Sequence, residues 1–218
     1  LTDNEASPTV GLSASSPIAE NGGVSAVTAT LSVAAAQSTT VNLLFSGIAD
    51  NGTDYSLSGT VITIAGGSTS GSITVTGLDD LLNDEAETVV VDIDTVSGGN
   101  GASESGTQQA TIIITDDDNP PVVDLLVSAS SVNESSGSAA AAITALLDHA
   151  ATVDTLVTLS PSGTADNGSD YTLDNFTISV SAGATSGTTN LNLLQDSVSE
   201  NPAETIVLDI TSVSGGDS

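Results

Sequence analysis

Residues 47–55 read GIADNGTDY, and 163–171 read GTADNGSDY, with seven of nine positions identical at an offset of 116. The same offset relates GSTSG (67–71) to GATSG (183–187). AETVVVDIDTVSGG (86–99) returns as AETIVLDITSVSGG (203–216) at 117, and SPIAENGG (16–23) as SSVNESSG (130–137) at 114. Such self-similarity constrains the fold more than any other feature: whatever one copy does, the other must do with loops a residue or two longer or shorter. The opening LTDNEASPTVGL (1–12) matches ITDDDNPPVVDL (114–125), so residues 1–8 read as the tail of a preceding copy. The second copy reaches VSGGDS without a counterpart of QQATIIITDDD (108–118). This pattern implies a tail at 1–8, one repeat at 9–121 and a second at 122–218 that lacks its last strand, cut from a longer tandem array.

Within each copy the hydrophobic period is two. Val27, Ala29, Leu31 and Val33 alternate with polar residues, and Val89, Val91 and Ile93 alternate with Val90, Asp92 and Asp94. That is the pattern of a half-buried strand. SAAAAITALLDHAA (138–151) has helical propensity, but its repeat partner VSAVTATLSVAAA alternates as a strand, so both are read as strands. About seven strands in a copy of about 115 residues, broken by Gly-rich turns, predict an all-β protein. The expected architecture is two tandem seven-stranded Greek-key, immunoglobulin-like β-sandwiches. Tyr55, Tyr171, Phe45 and Phe176 are expected in their cores.

The chain has 28 acidic residues, no Lys or Arg and one His, for a formal net charge of −28. That balance excludes nucleic acid and anionic membrane surfaces as partners, since both require basic residues. No apolar run approaches the roughly 20 residues of a membrane-spanning helix. Aromatic residues make up 2% of the chain, too few to line a sugar-binding cleft for a carboxylate-pair glycosidase. Neither a nucleophile–base pair nor a phosphate-binding glycine loop is present, and no enzymatic activity is expected. His149 reads as an ordinary exposed loop histidine. Asp50-Asn51-Gly52 reads as a turn.

In copy one the carboxylates gather at strand ends: Glu20, Asp54, the run DDLLNDEAE (79–87) and Asp116-Asp117-Asp118. In a Greek-key sandwich, turns distant in sequence meet at one pole. Two like charges about 4 Å apart repel by about 1 kcal/mol in water and several times more near a protein surface. A converging cluster therefore requires a cation. All-oxygen donors select Ca2+ over zinc or copper, and a flexible multi-carboxylate set suits Ca2+ better than Mg2+.

GTADNGSDY, DDLLNDEAET and a strand running into TDDD, in that order, resemble the Calx-beta domain. The resemblance covers residues 9–118 and copy two to its end. It implies Ca2+ bound at one pole of each sandwich. The implied ligands in copy one are Glu20, Asp54, Asp79, Asp80, Asp84, Glu87, Asp116, Asp117 and Asp118, with the carbonyl of Leu82. In copy two they are Glu134, Asp170, Asp196, Glu200 and Glu204, with the carbonyl of Val198. Gln195 stands where copy one has Asp79, and one residue is inserted before Glu204. The function implied is a calcium-binding structural module in an extracellular bacterial adhesin, stalk or surface filament. Its partners would be neighbouring repeats or further copies assembling into filaments. Ca2+ would stiffen each domain and the joint at Pro120-Pro121, where φ is fixed and no N–H is available. A calcium-sensing regulatory module and a non-catalytic accessory array of a secreted enzyme are the alternatives.

Overall fold

The computed structural model describes residues 6–83, 85–197 and 202–217. The chain divides into two units: one comprises Leu1–Asp80 with Glu85–Asp117, the other Leu81–Asp84 with Asp118–Ser218. The proposed ligands Asp84, Val198 and Glu200, and most of the opening tail, lie outside the described residues.

The first unit contains β1 (Thr9–Ser13), β2 (Ile18–Ala19), β3 (Val24–Leu31), β4 (Thr39–Gly47), β5 (Tyr55–Leu57), β6 (Val61–Ile64), β7 (Ser70–Gly77), β8 (Glu87–Gly98), β9 (Ser103–Glu104) and β10 (Gln109–Thr115). Seven of these have four residues or more, which are the seven expected strands. The three short ones are too brief to show a period. One sheet has the order β5-β7-β3-β1-β9 and the other β2-β10-β8-β4-β6. The pairings are antiparallel, apart from β1 with β9 and β2 with β10.

Alternation fixes which face each strand buries. Val27 and Ala29 are fully buried from one sheet, and Val89, Val91 and Ile112 from the other. Val, Ile and Leu make up most of this core, with Tyr55 as its one fully enclosed aromatic residue. Phe45 packs against it half-buried. Val33 is 52% exposed, because β3 ends at Leu31 and the alternation read from sequence runs past the strand.

The second unit contains β11 (Val123–Val127), a 3-10 turn (Glu134–Ser136), β12 (Ala141–Leu147), β13 (Thr155–Gly163), β14 (Tyr171–Leu173), β15 (Thr177–Val180), β16 (Ser186–Leu193) and β17 (Ile206–Gly215). Its sheets run β11-β12-β16-β14 and β15-β13-β17. The Ala-rich stretch is β12, with Ala141, Ile143, Ala145 and Leu147 all inward. Burial against a partner sheet overrides its helical propensity. The copies match down to a β-bulge, which falls at Asn42/Leu43 in β4 and at Thr158/Leu159 in β13. Phe176 departs from expectation: it sits 41% exposed just before β15 instead of in the core. Among the described residues, no helix is long and apolar enough to cross a membrane.

Candidate metal centre

The β2 segment is short, and hydrogen bonds to β10 hold it in place. The Ile113 N–H donates to Ser16 Oγ at 2.9 Å, and Thr115 Oγ1 donates to the carbonyl of Ile18 at 3.1 Å. The Glu20 N–H donates to the Thr115 carbonyl at 3.0 Å. Glu20 is thereby tied to the point where β10 gives way to Asp116 and Asp117. From the other sheet, β7 ends at Gly77 and leads into Asp79. The Gly77 N–H donates to Gly23 O at 2.9 Å, and the Leu78 N–H to Asp54 O at 2.9 Å. Ends of β2, β7 and β10 and the β4–β5 turn therefore meet at one pole of the first unit.

There, one carboxylate oxygen each from Glu20, Asp79 and Asp117 lies within 4.8 Å of the others. Glu20 and Asp116 likewise offer oxygens within 4.8 Å of each other. Glu20 and Asp116 are half-buried, while Asp79 and Asp117 are exposed, so the cluster opens to solvent on one side. Asp80 is exposed, and Glu87 is half-buried at the start of β8, opposite Ile114 in the β10 ladder. Leu82 and Asp118 fall on the second unit's side of the division.

Asp54 has a second task. Its Oδ2 accepts the Asp50 N–H at 2.5 Å, closing the DNGTD turn. That turn places Tyr55 in the core, where burial first, then the nearby Asp50 and Asp54 charges, raise its phenol pKa. The arrangement repeats at Asp170 and Asp166, with Tyr171 raised for the same reasons.

Gly77 is a positioning residue that sequence reading missed. A Cβ there would stand 2.5 Å from Ala19 O and 2.7 Å from Glu20 O. Only glycine lets β7 approach the Glu20 backbone this closely. The copy-two equivalent is Leu193, so comparison of the repeats gave no warning.

In the second unit Glu134, Asp170 and Glu204 line one cleft with Val132, Leu193 and Ile206. Glu134 Oε1 accepts the Asp196 N–H at 3.2 Å. His149 is not the exposed loop residue expected. Its Nδ1 lies 3.0 Å from Asp148 Oδ1 and its Nε2 3.0 Å from Asn119 O, and its side chain is only 21% exposed. Asp148 Oδ1 also accepts the Val122 N–H at 2.9 Å, a bond that leads the causes lowering the Asp148 pKa.

The donors at the first pole are hard carboxylate oxygens drawn from three separate parts of the chain. They fit Ca2+, which takes six to eight oxygens at about 2.3–2.6 Å in flexible geometry. Two β-sandwich units, each with acidic side chains gathered at strand ends, define the class of protein. The chain belongs to the Calx-beta domain family, whose model matches residues 3–118 and 116–218. Among solved structures it is similar to "CBD12 from CALX1.2", at 18% identity and a TM-score of 0.45, covering 87% of this chain and 76% of that one. It is also similar to the "Apo-form Calx CBD1 domain", at 20% identity and a TM-score of 0.45, covering 52% of this chain and 100% of that one. The "calcium binding domain CBD12 of CALX1.1" matches at 17% identity and a TM-score of 0.44, covering 85% and 76%. No curated protein matches the chain.

Proposed function

We propose that this chain is a calcium-binding structural module of an extracellular bacterial adhesin, stalk or surface filament, without catalytic activity. The observation that carries the calcium reading is the approach of Glu20, Asp79 and Asp117 within 4.8 Å, in a chain without Lys or Arg to neutralise them. Glu20, Asp79, Asp116 and Asp117 would hold the ion. Asp54, Asp80, Glu87, Asp118 and the Leu82 carbonyl complete the proposed set in copy one; Glu134, Asp170, Asp196 and Glu204 serve copy two. The ion would neutralise the pole and tie β2, β7 and β10 together, stiffening the sandwich and the Pro-Pro joint after it. Extracellular modules bind Ca2+ with Kd of about 10⁻⁴–10⁻³ M, a range suited to a solvent-open carboxylate cluster. A −28 chain with few aromatic residues supports a soluble spacer rather than a substrate-binding surface.

Melting the 218-residue chain in millimolar Ca2+ and in EGTA tests this reading. A ligand that binds only the native state stabilises it by about 2.7 kcal/mol at a hundredfold excess over Kd. Glu20→Ala and Asp117→Ala should remove most of the shift in the first unit's transition. Asp94→Ala, on an exposed β8 position, should keep it. Superimposable curves with and without Ca2+ would overturn the reading.

A further inference from the structure

Asparagine is followed by glycine four times in this chain, at 21–22, 51–52, 100–101 and 167–168. In that dipeptide the glycine nitrogen can reach the asparagine side chain, because no Cβ stands in its way. All four pairs are exposed, so exposure does not rank them. Their hydrogen bonds do. The Gly52 N–H donates to Tyr55 O and the Gly168 N–H to Tyr171 O, each at 2.7 Å, across the turns that Asp54 and Asp170 fasten. At Asn100 the side chain itself is held: its Oδ1 accepts the Gln37 N–H at 3.2 Å, while the Gly101 N–H donates to Gly98 O at 3.1 Å. The Gly22 N–H reaches only Glu20 O, two residues back, at 2.6 Å. A three-residue ring forces a bent N–H···O, and bent bonds are weak. The space is open too, since a Cβ on Gly22 would meet nothing within 4 Å.

We propose that Asn21-Gly22 is a site of spontaneous modification, at which Asn21 is converted into aspartate and isoaspartate ahead of the other three pairs. The Gly22 nitrogen, having lost its proton to solvent base, attacks Asn21 Cγ. The Cγ–N bond forms, the Cγ–Nδ2 bond breaks, and Nδ2 takes up a proton and leaves as ammonia. Water then opens the five-membered imide ring that remains. Cleavage between Cγ and the Gly22 nitrogen gives aspartate. Cleavage between the Asn21 carbonyl carbon and that nitrogen gives isoaspartate, with the main chain routed through Cβ and Cγ. Either product places a new carboxylate next to Glu20, whose own carboxylate already lies within 4.8 Å of Asp79 and Asp117 oxygens. Isoaspartate also adds a methylene to a segment without slack. The Glu20 N–H is bound to Thr115 O and the Gly23 N–H to Ala19 O, each at 3.0 Å. A Cβ on Gly23 would stand 2.4 Å from Ala19 O. The modification therefore raises the charge of the acidic pole and loosens the segment that carries Glu20, a one-way change that needs neither enzyme nor metal.

The test incubates the full 218-residue chain in mildly alkaline buffer, in parallel with the same chain in guanidinium chloride. EGTA is present throughout, so the result does not depend on the calcium reading. Digestion with pepsin at low pH stops the reaction, and the chain has no Lys or Arg for trypsin. Mass spectrometry of the peptides follows conversion at each of the four asparagines. In the folded chain Asn21 should convert at least about fivefold faster than Asn51, Asn100 or Asn167, the factor that releasing one further hydrogen bond costs the other sites. In guanidinium the four rates should converge. An Asn21→Gln chain, whose longer side chain closes the ring reluctantly, is aged alongside. Hydrogen exchange at the Glu20 and Gly23 amides should be faster in the aged parent than in the aged Asn21→Gln chain. An Asn21 rate no higher than the other three, a lead that persists unchanged in guanidinium, or equal exchange in the two aged chains would overturn the proposal.

Discussion

The Asp54 carboxylate accepts the backbone N–H of Asp50 at 2.5 Å, and Asp170 does the same for Asp166 at 2.5 Å. A side chain proposed as a metal ligand is therefore also the fastener of its own turn, and substitutions separate the two roles. Asp54→Ala loses the bond and should destabilise the first unit by about 1 kcal/mol even in EGTA. Asp54→Asn keeps an acceptor oxygen in place and should melt like the parent in EGTA. It lacks the second charge-bearing oxygen, so its calcium shift should be smaller. Thermal melts of the two variants, each with and without Ca2+, read both effects.

Gly77 should matter to the acidic pole although it carries no charge. A methyl group at this position would meet Ala19 O at 2.5 Å and Glu20 O at 2.7 Å, both backbone atoms that cannot rotate away. Gly77→Ala must push the β2 segment off β7 and displace Glu20. We expect at least about a tenfold weaker calcium affinity by titration calorimetry, since one misplaced ligand of a multi-carboxylate site is felt by the whole set. Gly59→Ala is the control, because its Cβ would meet nothing nearer than Ile73 Cγ2 at 3.9 Å. Equal affinities in the two variants would mean that Glu20 is not positioned through Gly77.

Most of this fold is legible in the sequence because two independent signals coincide. Alternation assigns strands such as Val24–Leu31, and the repeat settles the Ala-rich stretch that propensity alone would make helical. The misses share a physical origin: they depend on where an element stops and what lies across from it. Val33 keeps the alternation after β3 has ended, and Phe176 is a large apolar residue left at the surface before β15. The two-residue strands β2 and β9 owe their existence to a partner strand, so no local pattern announces them. At the candidate site, residue type alone marks the carboxylates. The convergence of Glu20, Asp79 and Asp117 needs three sheet connections at once, and Gly77 acts through the absence of a side chain.

Acid titration should single out Asp174. Its Oδ2 accepts Asn190 Nδ2 at 2.9 Å and its Oδ1 accepts Asn192 Nδ2 at 2.7 Å, and these bonds hold its pKa below the usual 3.8. A folded pKa below the unfolded one means the group's stabilising contribution is present above about pH 3.8 and is lost as pH falls through the folded value. Asn190→Ala with Asn192→Ala removes both donors. The carboxyl carbon of Asp174, followed by NMR, should then titrate at higher pH, nearer 3.8. Observing one carboxyl separates this effect from the collective discharge of the other acidic groups, which acts in the opposite sense by relieving repulsion. An unchanged midpoint would show that the two amides do not set it.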